Sequence, residues 1–433
     1  MVGNIPHRFR TQASDRFVTL LQFIGDMMIQ LELEFDRQLD TERLAKAVDL
    51  TLDAEPVLGC RLVPHWWRPY WERLDEGKRK AFLLVNNECE YEAFKTSSLD
   101  TYNGPQIKVC LLQLSSGNRL LLKVAHQVAD AGAVKEIAAI ASSIYTRLAY
   151  EPDYLPQPNL KGSRSVWQVL RHVPWSAYPQ FFLNYLHDIQ DTMADVIPQD
   201  IHQLHFENGL RTPLSFVLRN LPVESVNSLV KYGRERDATI NDIVVAAFFR
   251  AIARGGNWNG RAQLRLNTTV DLRRYIPNGK AEGICNLSGI EFVRLGTALG
   301  DNINSTLTRV TEITKHRKNR WIGFSTYLIQ EPLMTVLPWG LRMKAFQHIS
   351  QKGMEKGNSP PAITNMGPIA MEDVTFDTSP VKAWLLPPPH YPPLFGPSLS
   401  GYRGTLTLSA GVYPSQREAV SRFFDEVLSE LPA

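Results

Sequence analysis

The stretch of sequence that decides the fold covers residues 120 to 137 and reads Leu-Leu-Leu-Lys-Val-Ala-His-Gln-Val-Ala-Asp-Ala-Gly-Ala-Val-Lys-Glu-Ile. An apolar run typical of a buried strand ends at His126, and a carboxylate follows at Asp130. The small residues Ala131 and Gly132 then lead into a segment with helical spacing. This order predicts an imidazole at the end of a strand, facing a cleft, with a nearby acid that fixes the turn.

The sequence before this stretch predicts further strands and helices. Residues 27 to 35 alternate apolar and polar side chains over several positions, which predicts a half-buried strand. Apolar residues at helical spacing from Glu42 to Leu52 predict a helix, with Thr41 as its N-cap. After a break that contains proline and glycine, residues 60 to 63 predict another strand. A mixed α/β chain follows from this order.

His126 itself is predicted to follow the second arm of a β-hairpin. Residues 106 to 114 and 119 to 125 form the two arms, and a polar turn joins them. The helical segment after the turn is predicted from about Ala133 to Leu148. Residues 151 to 164 are rich in proline and are therefore expected to form a linker.

The length of the chain predicts two domains, because a chain of 433 residues and 49.0 kDa is longer than one hydrophobic core usually organises. The linker places the boundary so that residues 1–160 carry His126 and residues 161–433 form the second domain. In that second part, a strand is predicted near Leu214 to Leu221 and a helix from about Val223 to Gly233. Thr239 is the expected N-cap of the next helix.

The composition excludes some classes of protein. A net charge of +3, from 47 basic and 44 acidic residues, gives no basis for a nucleic-acid partner. His202 and His205 are three positions apart and have no third ligand nearby, so no metal site is expected. The four cysteines stand at no metal-ligand or redox spacing and are expected to be buried thiols: Cys60, Cys89, Cys110 and Cys285.

Other features of the sequence bear on where the protein is found. The amino terminus lacks a secretory signal, which favours a reducing, cytoplasmic location. The protein is also expected to be a monomer. A membrane-spanning helix is not expected, because no long apolar run without charges occurs. Residues 165–190 and 321–346 are rich in aromatic side chains. Three interpretations stay open for them: core packing, the wall of a hydrophobic substrate tunnel, or peripheral contact with a membrane.

Three further segments accompany the His-x-x-x-Asp pattern of residues 126–130: residues 270–275 (Val-Asp-Leu-Arg-Arg-Tyr), 364–369 (Thr-Asn-Met-Gly-Pro-Ile) and 404–413 (Gly-Thr-Leu-Thr-Leu-Ser-Ala-Gly-Val-Tyr). Together they resemble the CoA- and carrier-protein-dependent acyltransferases. That superfamily includes chloramphenicol acetyltransferase, the condensation domains of peptide synthetases, and alcohol and polyketide-associated O-acyltransferases. The resemblance covers nearly the whole chain. It implies an α/β (α+β) fold in which two chloramphenicol-acetyltransferase-like subdomains form a V-shaped pseudodimer with a central tunnel.

The resemblance also implies roles for individual residues. His126 would be the general base that takes a proton from the acceptor as the acceptor attacks a thioester. Asp130 would be structural, and would pair with an arginine of the second half, for which Arg273 is favoured. Gly132 belongs to the same turn. Candidates for stabilising the oxyanion, for each of which the capping of a strand end is an equal alternative, are Asn365, Ser288 and Asn286.

This sequence departs from the superfamily's pattern at two positions. The fuller signature has two consecutive histidines, and Ala125 stands in place of the first. The residue after the aspartate is usually glycine and is Ala131 here. Because alanine tolerates a positive φ poorly, either the turn is an ordinary one or Gly132 carries that conformation.

The function implied is transfer of an acyl group from a thioester of CoA, or of a carrier protein's phosphopantetheine, to a hydrophobic alcohol or amine. The transfer would be direct, without an acyl-enzyme, and the protein would hold no cofactor of its own. Two alternatives remain: an amide-forming, free-standing condensation enzyme, and a non-catalytic binding member of the same fold, which Ala131 keeps open.

Overall fold

The computed structural model describes residues 5–183, 186, 204, 206, 209–318, 321–356 and 362–432. The strands of these residues are β1 (Arg8–Arg10), β2 (Met28–Phe35), β3 (Cys60–Val63), β4 (Tyr70–Arg73), β5 (Phe82–Val85), β6 (Ile107–Leu114), β7 (Gly117–Ala125), β8 (Ser215–Leu221), β9 (Leu264–Asp271), β10 (Ser288–Gly296), β11 (Ala362–Pro368), β12 (Lys382–Leu386), β13 (Ser398–Tyr402) and β14 (Thr405–Val412).

The α-helices of the described residues alternate with these strands along the chain. They are α1 (Ala13–Leu20), α2 (Thr41–Ala54), α3 (Glu88–Thr96), α4 (Ala131–Leu148), α5 (Trp167–Leu170), α6 (Val223–Arg234), α7 (Ile240–Gly255), α8 (Ile303–Lys318), α9 (Ser325–Val336), α10 (Trp339–Lys356) and α11 (Arg417–Glu430). The predicted mixture of strands and helices is therefore confirmed.

The N-terminal half is built on a five-stranded sheet with the order β12-β2-β7-β6-β5. Its hairpin, β6 and β7, matches the predicted arms to within two residues, because β7 already begins at Gly117. Strand β7 is buried on both faces: Leu120, Leu122 and Val124 belong to the main core of this half, and Leu121 to a smaller cluster on the other face. This burial explains why the run before His126 is apolar at nearly every position.

Helices α2 and α4 cover the main-core face of this sheet and pack against each other. The sequence predicted Thr41 as the N-cap of α2, and this was wrong by one residue. The cap is Asp40, whose carboxylate accepts a hydrogen bond from the amide of Arg43 at 3.0 Å. Thr41 is instead the first helical residue. Both residues are common N-caps, so the sequence alone did not separate them.

The C-terminal half is built on a six-stranded sheet with the order β10-β9-β11-β13-β14-β8. Helices α7 and α11 pack together against its core. Thr239 is the N-cap of α7, as predicted, and it forms a capping box with Asp242. The small side chains Ala246 and Ala247 are fully buried in this helix and allow close packing.

The two halves are interlocked by strand β12, which lies late in the chain but completes the edge of the N-terminal sheet. Residues Lys382–Leu386 pair antiparallel with β2 over the register Lys382↔Glu34 to Leu386↔Gln30. The chain then returns to the C-terminal sheet through β13. The crossing brings the proline-rich segment after β12 next to the end of β7, where His126 lies.

Candidate active site

His126 is the first residue after strand β7, and its main chain is held from both halves of the molecule. Its amide donates to the carbonyl of Met27 at 2.8 Å. The side-chain amide of Asn286, from the C-terminal half, donates to the carbonyls of His126 at 2.9 Å and Gln127 at 3.1 Å. These bonds fix the position of the imidazole at the junction of the two halves.

The hydrogen bond of the His126 ring defines its tautomer. Nδ1 lies 2.8 Å from the carbonyl oxygen of Ala129. Because a carbonyl oxygen can only accept, Nδ1 carries the proton in the neutral ring and Nε2 keeps its lone pair. Burial lowers the pKa of His126, although the Ala129 carbonyl and the Asp130 carboxylate act to raise it. The ring is therefore neutral near pH 7, as a general base requires.

This lowered pKa predicts the pH dependence of any reaction in which His126 is the base. A depressed pKa keeps Nε2 unprotonated to lower pH, so activity is expected to be level around neutrality and to fall only below about pH 6.5. The measurement is kcat/KM across roughly pH 5 to 8. An acid limb centred above neutrality would contradict the prediction, since it would require a histidine with a raised pKa.

A cavity of about 280 Å³ lies between the two halves, and most of the predicted site residues line it. His126, Asp130 and Gly132 contribute from the N-terminal half. Ser288 and Asn365 contribute from the other half, together with Asn286. The remaining wall is largely apolar and includes side chains of α1 and of the residue that follows it: Phe17, Val18 and Leu21.

The carboxylate of Asp130 has no free oxygen to offer to a substrate. Oδ1 accepts the amide of Ala133 at 2.8 Å, which makes Asp130 the N-cap of α4. Oδ2 accepts the amide of Leu287 at 2.6 Å and Nη1 of Arg273 at 2.9 Å. Burial acts to raise the pKa of Asp130, but Arg273 and the two amides hold it below its ordinary value. Asp130 is thus a buried anion that joins the halves, and the predicted ion pair is present.

Arg273 does not line the cavity and lies behind it, in a turn of 3-10 helix after β9. Besides Asp130, its guanidinium contacts Glu136 of α4 at 2.9 Å, Asp271 at 3.2 Å and the carbonyl of Cys285 at 3.2 Å. One buried cation therefore connects the start of α4 to two segments of the C-terminal half. The bonds to several partners offset the cost of burying the charge.

The conformation of the turn answers the question that Ala131 raised. Helix α4 begins at Ala131, and neither Ala131 nor Gly132 is among the described residues with a positive φ. The turn is therefore an ordinary helix start, and alanine fits it without strain. Gly132 is needed for space instead, because a Cβ there would lie 2.7 Å from Nη1 of Arg273. The reason for doubting activity at Ala131 is thereby removed.

Replacing Gly132 with alanine is expected to destabilise the protein by about 1–3 kcal/mol, because the methyl group would displace the buried Arg273 guanidinium. The measurement is the free energy of unfolding in urea. Gly353→Ala is the matched control: Gly353 lies in helix α10, and nothing lies within 4 Å of a Cβ placed there. That control should be neutral or stabilising by up to about 1 kcal/mol. Equal effects of the two changes would contradict this account of Gly132.

The three oxyanion candidates differ in what their polar groups already bind. Both N–H groups of Asn286 are used on the carbonyls of residues 126 and 127, so Asn286 holds the loop and offers no donor. This corrects the expectation for Asn286. Asn365 is exposed at the rim of the cavity, where its amide donates to Asn241 at 3.1 Å. Ser288 is half-buried on the cavity wall at the start of β10 and stays a candidate.

The sequence interpretation missed the second histidine of the cavity, His390. It lies in the run Pro-Pro-Pro-His-Tyr-Pro-Pro that follows β12, and its ring lines the same wall as His126. Burial, and then the proximity of the His126 ring, lower the pKa of His390 to about 4. The sequence did offer one signal, which is a histidine inside a rigid proline-rich segment. That segment reaches the site because β12, just before it, pairs with the N-terminal sheet.

The other predictions from sequence have mixed outcomes. Cys60, Cys110 and Cys285 are buried, but Cys89 is exposed in the first turn of α3, so the expectation of four buried thiols was wrong. His202 and His205 lie outside the described residues. Among the residues that are described, no cluster of metal-ligating side chains was found, and no helix is long and apolar enough to cross a membrane.

The two aromatic segments behave differently from each other. In residues 165–190, Trp167 is 60% and Trp175 is 86% exposed, and no described residue of the segment lines the cavity. In residues 321–346, Tyr327 is buried on the cavity wall, and its hydroxyl donates to the carbonyl of Asn286 at 3.0 Å. Among the described residues of the two segments, those that contribute to the wall of the site belong to the second.

Comparison with solved structures identifies the fold. TRI3 trichothecene 15-O-acetyltransferase from Fusarium sporotrichioides has a TM-score of 0.72 at 12% identity, over 98% of this chain and 94% of that one. Polyketide synthase associated protein 5 from Mycobacterium tuberculosis has a TM-score of 0.62 at 16% identity, over 98% and 97%. The first condensation domain of the CDA synthetase has a TM-score of 0.64 at 15% identity, over 98% and 97%.

The sequence comparisons gave no such likeness: no family model matches the chain, and no curated protein sequence does. The fold is the chloramphenicol acetyltransferase-like fold with two subdomains, as the sequence predicted. The chain resembles in fold, over nearly its entire length, an O-acetyltransferase, a polyketide synthase associated protein and a condensation domain.

Proposed function

We propose that this protein is an acyltransferase that moves an acyl group from a thioester directly to an alcohol, with His126 as the general base. The observation that carries the proposal is the geometry of His126. Its Nδ1 is bound to the Ala129 carbonyl, and its ring lines a cavity formed by both halves. That tautomer leaves Nε2 as the nitrogen able to take a proton.

The reaction needs one base that both takes and returns a proton. The acceptor hydroxyl gives its proton to Nε2 of His126 as its oxygen attacks the thioester carbonyl carbon. The tetrahedral intermediate then collapses, the carbon–sulfur bond breaks, and Nε2 returns the proton to the leaving thiolate. The Ser288 hydroxyl is the side-chain donor that we assign to the carbonyl oxygen as charge develops on it. Asp130 and Arg273 hold the loop and take no part in proton transfer.

The donor is a thioester of CoA or of a carrier protein, and the protein holds no cofactor of its own. The apolar lining from α1 supports a hydrophobic substrate in the cavity. One of the similar structures is named for O-acetyl transfer, which supports an alcohol as acceptor. An amine acceptor is the alternative, supported by the similar condensation domain. Four unpaired cysteines support a cytoplasmic location.

The test is release of free thiol from a panel of acyl-CoAs, from acetyl to palmitoyl, with alcohol and amine acceptors supplied separately. The proposal expects release that depends on an alcohol, with the ester identified by mass spectrometry. Acyl-carrier protein is the second donor in the panel, so that a carrier-specific enzyme is not missed. Amide as the main product would favour the condensation alternative. Failure of transfer from both donor types would overturn the proposal.

A further inference from the structure

His390 is held beside His126 by the short segment that leads into β2. The amide of His126 donates to the carbonyl of Met27 at 2.8 Å, and the amide of Asp26 donates to the carbonyl of Pro389 at 2.9 Å. Asp26 and Met27 are consecutive, so one short segment is bonded both to His126 and to Pro389, the residue before His390. Both rings line the same cavity.

The orientation of the His390 ring is built into its surroundings. The prolines at 387–389 and 392–393 restrict the main chain on both sides. The ring packs directly on Gly396, where a Cβ would lie 2.6 Å from Nδ1 and 2.7 Å from Cε1 of His390. Any larger residue at 396 would move the ring. This close packing restricts the position of the ring at the cavity wall.

The main chain of Pro388 is close enough to the His390 ring to raise its pKa as a hydrogen-bond partner, although burial lowers that pKa more strongly. Nδ1 of this ring is buried and has no hydrogen-bond partner. A buried polar atom without a partner costs free energy, and a small shift of the ring that let a bound group pair with this nitrogen would recover that cost. His390 is not the base, because the tautomer of His126 already provides one. A second neutral imidazole in a mainly apolar cavity is suited to binding a hydroxyl group of the substrate, because a hydroxyl can both donate to and accept from a ring nitrogen.

We propose that His390 binds a second hydroxyl of the acceptor, close to the hydroxyl that His126 deprotonates, so that the preferred acceptor is a polyhydroxylated alcohol on an apolar body. This inference rests on the proposed function. It makes His390 a specificity-determining residue: the second hydroxyl pairs with the imidazole, and an acceptor without it leaves the imidazole unpaired in the cavity. The apolar side chains of α1 take the body of the acceptor.

The experiment compares a vicinal hexanediol with the matching primary hexanol as acceptors. Wild type is expected to favour the diol in kcat/KM by about five- to tenfold, the effect of one neutral hydrogen bond. His390→Phe should remove that preference through the KM of the diol, and leave the KM of the thioester unchanged. His390→Gln, which keeps hydrogen-bonding groups, should restore part of it. Gly396→Ala is an independent variant that moves the ring and should also reduce the preference.

Dissociation constants of both alcohols, from NMR titration, provide a second readout that needs no turnover. A wild type that treats the two alcohols alike in binding and in rate would overturn the inference. So would a His390→Phe variant that loses affinity for both alcohols equally, because that is the effect of a purely structural residue. Transfer to the primary hexanol tests the proposed function separately. If no transfer occurs but the diol binds more tightly in wild type than in His390→Phe, the binding of a hydroxyl by His390 is supported and the proposed function fails.

Discussion

Replacing His126 with alanine is expected to reduce kcat for acyl transfer by about 10²- to 10⁴-fold, the usual contribution of a positioned general base. The KM of the thioester should change little, because Nε2 of His126 acts on the proton of the acceptor and is not expected to bind the thioester. Stability should fall by only about 1 kcal/mol, since the ring makes one hydrogen bond, from Nδ1 to the Ala129 carbonyl. The measurements are steady-state kinetics and urea unfolding of the same preparation.

Two controls make this prediction specific. His172→Ala removes an exposed histidine that does not line the cavity, and should leave kcat unchanged. Added imidazole should partly restore turnover to His126→Ala, because a free base can occupy the space that the side chain leaves. A His126→Ala variant with kcat within threefold of wild type would show that another group is the base. His390 would then be the residue to examine first, since its ring lines the same cavity.

The sequence predicted the parts of the fold that depend on local pattern. The apolar run of β7, its hairpin with β6 and the helix after Asp130 follow from periodicity and turn chemistry, and the structure confirms them. Buried faces impose these patterns directly on the sequence. The error at Thr41 is of another kind, because Asp40 and Thr41 are both suitable caps and the choice depends on where the main chain enters the helix.

The parts of the site that the sequence could not supply depend on contacts between distant segments. Arg273 was proposed because of a family resemblance, but its contact with Gly132 appears only when the halves are assembled. The role of Asn286 follows from two carbonyls about 160 positions earlier in the chain. His390 joins the site only because β12 crosses to the other sheet. No local pattern encodes such contacts, and a single sequence offers no covariation from which to infer them.

Asp130 is expected to show the largest effect on stability. Its replacement by alanine should lower the free energy of unfolding by about 3–5 kcal/mol, because Arg273 would lose a buried partner. The amides of Ala133 and Leu287 would lose their acceptors at the same time. Because Asp130 ionises below its ordinary pKa in the folded state, its contribution is present above that ordinary value and is lost as the pH falls through the lowered pKa. The destabilisation should therefore shrink in acid.

The matched control is Asp425→Ala, which removes an exposed carboxylate paired with Arg219 at 2.7 Å. Exposed ion pairs contribute less than about 1 kcal/mol to the free energy of unfolding. Comparing the two variants therefore separates the effect of burying the ion pair from the effect of having an ion pair at all. Asp130→Asn adds a second comparison, since it keeps the size of the side chain and one oxygen acceptor. It should fall between wild type and alanine. If Asp130→Ala instead unfolds like wild type and yet has no turnover, Asp130 acts in the chemistry itself, and the structural role argued from its occupied oxygens is wrong.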